Sequence, residues 1–364
     1  MTVFRAHASS LRQPQRLPCR RGAIERIPYP VCLIPLIAQW IWLGLRYRSL
    51  TLPSCANPGI TAGGLVGDCK SEYFDRMGPR AHARIAPYVL LCGHGATSLT
   101  NALKAMREHG LMFPVVAKPD LGWCGYGVRR INTTTELQSY LTQFPAGAAL
   151  LLQRYLSEPG EAGIFYMREP GQVTGRIVGL LLRHHPQVVG DGKRTIAQLL
   201  DDDPRLRHRF RHHLNCDHHN VATIPRAGER VRLSTIGSFR VGATYEDGIR
   251  HQSDILTATV DSIACDMPQF HAGRLDVRFA SIHALRRGQF TIMEVNGAGS
   301  EAGQAWDPKY TLRQAYRIVF AKQRMLFALG AINRARGHRP IRLTALVRHW
   351  LHQQAILRHY PASN

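Results

Sequence analysis

Gly273–Glu301 reads GRLDVRFASIHALRRGQFTIMEVNGAGSE, and its alternation decides how the chain is organised. Side chains alternate across a strand with period two. Arg274, Asp276 and Arg278 therefore share one face, while Leu275, Val277 and Phe279 point to the other. The run Gln289–Asn296 puts Glu294 and Asn296 on one face, with Met293 and Val295 opposite. A hairpin with its loop over Ile282–Gly288 sets Ser281 against Gln289 and Asp276 against Glu294. Facing carboxylates repel across a ladder. A divalent cation removes that repulsion, and two carboxylates with an Asn carbonyl are the hard oxygen ligands that Mg2+ accepts, its remaining positions usually filled by substrate phosphates. A phosphate site is therefore expected elsewhere in the chain.

Phe113–Ile131, FPVVAKPDLGWCGYGVRRI, answers that expectation. A strand ending in Lys118-Pro119 leads into Gly122, Gly125, Tyr126 and Gly127, then a second strand over 128–131. Glycines let the backbone turn freely and approach phosphates closely. The spacing is not that of a Walker P-loop, and no helix opening with Ser or Thr follows. The segment reads as a flexible hairpin lid with Lys118 as a point charge at its base, although a glycine-rich hairpin by itself is an ordinary turn.

Taken in order, VVAKPDLGWCGYGV, LLLQRYLSEPGEAGI, RLDVRF and MEVNGAGSE resemble the ATP-grasp superfamily, notably D-alanine–D-alanine ligase-like members, over about residues 113–321. VVGDGKRTIAQLL (188–200) is similar to a segment of cyanophycin synthetases, which are amino-acid ligases. The resemblance implies an α/β (α+β) ATP-grasp fold, two α+β lobes gripping ATP, with a short irregular N-terminal region and C-terminal helices. It implies ATP and Mg2+ (or Mn2+) as cofactors, with small-molecule carboxylate and amine or thiol substrates joined through an acyl phosphate. By that resemblance Lys118 holds ATP phosphates under the lid Gly122–Gly127. Gln153, Arg154, Tyr155 and Leu156 form the hinge whose backbone meets adenine, and Glu161 takes a ribose hydroxyl. Asp276, Glu294 and Asn296 bind the metal, and Arg274 faces the transferred phosphoryl group. The plainer alternative is a loop-surface carboxylate for Glu161, and salt bridges to the same carboxylates for Arg274 and Arg278. The upstream lysine common in the family has no clear counterpart, since Lys104 falls in a helix-like segment. An ATP-grasp phosphotransferase that stops before ligation, and a non-catalytic basic surface protein, are the competing readings. Repelling carboxylates argue against the latter.

The chain has 364 residues, 45% apolar, enough for a sizeable core in two or three lobes. A net charge of +22 points to an anionic partner, yet there is no long Lys/Arg tract, so nucleic-acid binding is not expected as the main function. Eight scattered cysteines without a C-x-x-C pair fit a reducing cytoplasm. His212, His213, Cys216, His218 and His219 match no structural zinc spacing and read as a solvated loop.

Four segments are expected: a disordered Arg-rich extension over 1–26, a reduced helical region over 27–110, the ATP-grasp domain over 111–330, and a helical extension over 331–364. Val31–Leu45 is apolar for fifteen residues and contains Pro35, short of the ~20 that a spanning helix needs. It reads as a buried or interfacial helix, and a basic amphipathic helix near 341–359 could likewise touch an anionic membrane. The glycine-dense approach to Lys70 reads equally as an anion pocket or a turn cluster. Residues 221–250 are expected to contribute to the acceptor site, or to form a plain β-hairpin. The oligomeric state is not readable from these residues.

Overall fold

The computed structural model describes residues 22–93, 98–203, 206, 207 and 221–363. The His/Cys tract at 212–219 and most of the expected N-terminal extension lie outside these residues. The architecture is mixed α/β and is built on two antiparallel sheets. In chain order the strands are β1 (Tyr88–Gly93), β2 (Val115–Pro119), β3 (Arg129–Ile131), β4 (Gly147–Arg154), β5 (Gly160–Met167), β6 (Arg176–His184), β7 (Gln187–Val189), β8 (Arg230–Arg232), β9 (Thr244–Asp247), β10 (Ala272–Phe279) and β11 (Thr291–Asn296).

The smaller sheet has the order β1-β4-β2-β3. Helices Leu99–Glu108 and Thr134–Gln143 cover it, each opened by a hydroxyl N-cap, Ser98 and Thr133 respectively. Leu150 and Leu152 of β4 join Val115, Ala117, Leu137 and Met106 in that core, while Leu151 turns to the core of the other sheet. The uninterrupted apolar run of β4 thus reflects burial on both faces. Because β1 pairs with β4, this sheet takes a strand from before residue 111.

The larger sheet has the order β11-β10-β5-β6-β9. Helix Asp254–Cys265 backs it with Leu256, Val260 and Ile263, packed on Leu275, Val277 and Phe279. The opposite face carries charge. The hairpin β10–β11 pairs Asp276 with Glu294 and Arg274 with Asn296, as the expected hairpin sets them. A bulge then shifts the register, so that Val277 pairs with Ile292 and Met293 is the extra residue. Ile292, not Met293, therefore joins Val295 in the core. The hairpin loop carries a short helix, Ile282–Arg286.

A small third sheet pairs β7 with β8. Since β8 pairs with β7 and β9 with β6, residues 221–250 do not form the hairpin that their glycines suggest. Helices Tyr29–Arg46, Leu312–Ala335 and Leu343–Leu357 flank the sheets, and Leu312–Ala335 runs across residue 330 without a break. The six described cysteines are unpaired.

One polar side chain ties the N-terminal segment to the large sheet. Buried Asn57 donates to the carbonyls of Gly63 (3.0 Å) and Ala272 (2.7 Å) and accepts from the amides of His271 and Ala272. Gly63 and Gly64, both at positive φ, then lie backbone to backbone on the turn after β11: Ala298 N–H donates to Gly63 O and Gly299 N–H to Gly64 O. The glycine-dense approach to Lys70 is thus a docking surface between two turns.

Candidate nucleotide and metal site

The charged face of the large sheet is ordered by strand register. Arg278 on β10 pairs with Glu161 on β5, and Arg183 stands beyond Glu161 on β6, giving an alternating row across three strands. Arg183 Nη1 lies 3.1 Å from Glu161 Oε1, while Arg278 Nη2 and His185 Nε2 each lie 3.0 Å from Oε2. Burial opposes the Glu161 charge, but His185, Arg278 and Arg183 outweigh it and hold this carboxyl far below the usual carboxylate range. Glu161 is therefore a buried strand residue held by two guanidiniums and by His185, whose own pKa burial pulls down, not a surface loop carboxylate.

One row along, Asp276 stands between Glu294 on β11 and Gly163 on β5. Arg274 grips Asp276 with two bonds, Nε at 2.7 Å and Nη2 at 2.9 Å, and Arg183 Nη2 reaches Oδ1 at 3.1 Å. Asn296 Nδ2 donates to Oδ2 at 3.1 Å. A Cβ on Gly163 would stand 2.8 Å from Arg274 Cδ and 3.1 Å from Asp276 Oδ1. The missing side chain is what lets the two guanidiniums converge. Arg183 joins both carboxylates, and its only sequence signal is an arginine closing an apolar run.

Glu294 is held by Lys70, whose Nζ lies 3.4 Å away. Burial works against the Glu294 charge, and Lys70, Lys118, Arg274 and Arg183 together lower its pKa. The repulsion read from the sequence is thus relieved by protein cations in this structure.

Lys118 sits at the end of β2 with 5% of its surface exposed. Its ammonium donates to the carbonyl of the bulged Met293 at 2.8 Å. Among the described residues no carboxylate lies within ion-pair distance of it. Burial is the dominant influence on this lysine; Glu294 opposes it and Lys70 adds to it, and the pKa falls from 10.5 to about 8.

Lys70, which sequence reading left undecided, is the second lysine beside Glu294. Its Nζ also bonds the carbonyls of Pro119 (3.0 Å) and Asp120 (3.3 Å), and Asp120 caps its short helix through Ser71. Lys104, by contrast, lies on the exposed face of helix Leu99–Glu108, paired with Glu108 at 3.9 Å.

Gly122 lies against this second lysine: a Cβ there would fall 2.7 Å from Lys70 Nζ. Gly125 and Gly127 adopt positive φ, which favours glycine. The loop they belong to is fastened at several points. Tyr360 Oη donates to Leu121 O (2.7 Å), Gln353 Nε2 to Gly122 O (3.1 Å), Tyr140 Oη to Gly127 O (2.7 Å) and Ser363 Oγ to Gly125 O (2.7 Å). Arg240 bonds the carbonyls of Cys124 and Gly125 and stacks on Tyr126 at 4.3 Å. A lid was expected at this place, and the loop found there is strapped down by the last helix and the residues after it.

In the segment expected to meet adenine, Gln153 is buried in β4 and donates from Nε2 to Ala86 O. The amides of Arg154 and Tyr155 donate to Pro87 O and Pro114 O. Leu156, buried just beyond β4, ends the segment.

Asp276, Glu294 and Asn296 occupy adjacent ladder positions on one face, and all three supply hard oxygen donors, so their chemistry fits magnesium. Holding a cation there requires Asp276 to release a guanidinium and Asn296 to present its carbonyl oxygen. No group of three His, Cys, Asp or Glu side chains suited to a metal occurs among the described residues.

The fold and the site together define an α/β protein in which lysines beside a glycine-rich loop stand near paired carboxylates. No protein-family model matches the sequence, and no curated protein matches it. Among solved structures, the chain is similar to the D-alanine–D-alanine ligase of Bacillus anthracis, at 15% identity and TM-score 0.40, covering 73% of this chain and 69% of that one. A D-cycloserine synthetase matches at 11% identity and TM-score 0.39, covering 72% and 70%. A bifunctional glutathione synthetase from Pasteurella multocida matches at 16% identity and TM-score 0.34, covering 68% of this chain and 35% of that protein.

Proposed function

We propose that this protein is an ATP- and Mg2+-dependent ligase of the ATP-grasp type, joining a small carboxylate to an amine or thiol through an acyl phosphate. The observation that carries the reading is Lys118: a buried ammonium near Glu294 and Asp276 that, among the described residues, donates to a bulge carbonyl and has no carboxylate within ion-pair distance. Burying a charge without a counter-ion is costly. An incoming phosphate relieves that cost.

In this reading Lys118 and Lys70 neutralise phosphate oxygens, and the fastened backbone of Gly122–Gly127 borders them. The segment 153–156 borders the base. Asp276, Glu294 and Asn296 hold the magnesium, which when bound supplies positive charge to the phosphates. Arg274, gripping Asp276, is placed to turn toward charge developing on the transferred phosphoryl group. Glu161 keeps Arg183 and Arg278 fixed beneath that charge, and a ribose hydroxyl at its edge would add to its three partners. Phosphoryl transfer asks little covalent chemistry of a protein, so positioning and charge neutralisation suffice.

The test is thermal stabilisation by Mg-ATP of the parent protein, Lys118→Ala and Glu294→Gln, followed by ADP formation across carboxylate and amine substrates. Stabilisation of the parent alone, with ADP released only when both substrates are present, supports ligation. ADP released with one substrate indicates a phosphotransferase. A parent protein that neither binds Mg-ATP nor yields ADP ends the proposal.

A further inference from the structure

Helix Tyr29–Arg46 is inverted in polarity. A surface helix normally turns its apolar stripe inward and its polar face to water. Here the amide side chain of Gln39 points inward. It donates to Phe320 O at 2.9 Å and to Gln323 Oε1 at 3.0 Å on helix Leu312–Ala335. Val31, Ile34, Ile37, Ile41, Trp42 and Leu45 face solvent, with Ile34 62% and Leu45 73% exposed. At 100° per residue these six cluster opposite Cys32, Leu36 and Leu43, which face the protein body. The two tryptophans divide the same way. Trp40 turns in, its Nε1 donating to Leu50 O, while Trp42 is exposed with the Arg46 guanidinium 5.6 Å from its ring centroid.

Cations border this face. Arg46 and Arg48 stand at its C-terminal end and Arg26 at its N-terminal end, all exposed. On the adjoining helix, Arg313, Arg317 and Arg324 form an exposed stripe beside the residues that contact Tyr29–Arg46. A second apolar face starts nearby: Ile341 N–H donates to Ser54 Oγ, close behind exposed Leu50, and Leu343, Val347, Trp350 and Leu351 follow on helix Leu343–Leu357. No helix among the described residues is long and apolar enough to cross a bilayer.

We propose that this face docks on an anionic lipid surface, the helix lying in the plane of the interface with Trp42 at headgroup level. Charge decides the occupant. A second copy of the chain would bring the same +22, and residues 1–21 carry five arginines and no acid, so either would set cation against cation. An anionic membrane offers both an apolar layer and the opposite charge, and amphipathic helices with basic borders bind such surfaces.

The experiment is co-sedimentation of the full chain with phosphatidylcholine vesicles, with and without roughly a third phosphatidylglycerol. Binding to the anionic vesicles is expected, weaker by at least about tenfold on phosphatidylcholine alone and for the Ile34→Glu/Trp42→Glu double variant. Both substituted side chains stand in solvent, so the variant's unfolding temperature should match the parent's. The proposal is overturned if the parent does not bind anionic vesicles, or if the double variant binds them as tightly as the parent. A concentration-dependent dimer abolished by Ile34→Glu would assign the face to a second copy and overturn it equally.

Discussion

Burial lowers the Lys118 pKa from 10.5 to about 8, which corresponds to roughly 3 kcal/mol of disfavoured charge in the free protein. The sign follows from proton counting. In the unfolded chain this lysine keeps its proton up to its ordinary value, whereas the folded protein releases it near pH 8, so Lys118 penalises folding below pH 8 and the penalty lifts as pH rises toward 10.5. Nucleotide binding runs the other way. A phosphate beside the ammonium favours the charged form, so affinity is greatest below pH 8 and falls above it, approaching about tenfold per pH unit. Calorimetric titration with Mg2+ and a non-hydrolysable ATP analogue, from about pH 6.5 to about pH 9.5, reads this slope directly. Lys118→Met should remove the slope and bind, near neutrality, about as weakly as the parent does at the alkaline end. An affinity that stays flat through pH 8 in the parent, or an undiminished slope in Lys118→Met, would refute the argument that Lys118 is the phosphate's counter-charge.

Glu161→Gln removes the shared partner of Arg183, Arg278 and His185, and breaking a buried ion pair from one side costs about 3–5 kcal/mol. Calorimetry should show an unfolding temperature lower by roughly 4–7 °C, and a fall below about 2 °C would mean the network is not structural. Gly64→Ala should be comparably destabilising, since its Cβ would lie 2.5 Å from Gly297 Cα at a φ of +74°; soluble yield and denaturant midpoint are the measurements. Gly122→Ala presses directly on the site: its Cβ would fall 2.7 Å from Lys70 Nζ, the buried ammonium bonded to the carbonyls of Pro119 and Asp120, so nucleotide affinity should drop by about fivefold or more in calorimetric titration with Mg-ATP.

Alternation put Asp276 on the polar face, because period two leaves one arrangement in which Leu275, Val277 and Phe279 reach the core. The hairpin loop assumed over Ile282–Gly288 set it across from Glu294, and the bulge after Asp276 then breaks the register that would have set Ser281 against Gln289. The glycines of 122–127 and the Lys-Pro strand end were legible for a similar local reason, since turn chemistry is written in residue type. Tertiary structure decided what those residues meet. The bulge that aims the Met293 carbonyl at Lys118 has no sequence mark, because one extra residue in a ladder changes no composition. Lys70 meets Glu294 in a fold where Gly63 and Gly64 lie against the turn after β11 and Asp120 bonds Ser71, contacts far apart in sequence. Arg183 compensates two carboxylates from a strand that local pattern presents as plain core, since a cross-strand row exists only once β5, β6 and β10 are in register. The sequence therefore determined which charges share a face, and packing determined which cations neutralise them, because electrostatic partners are chosen by distance in space and not by spacing along the chain.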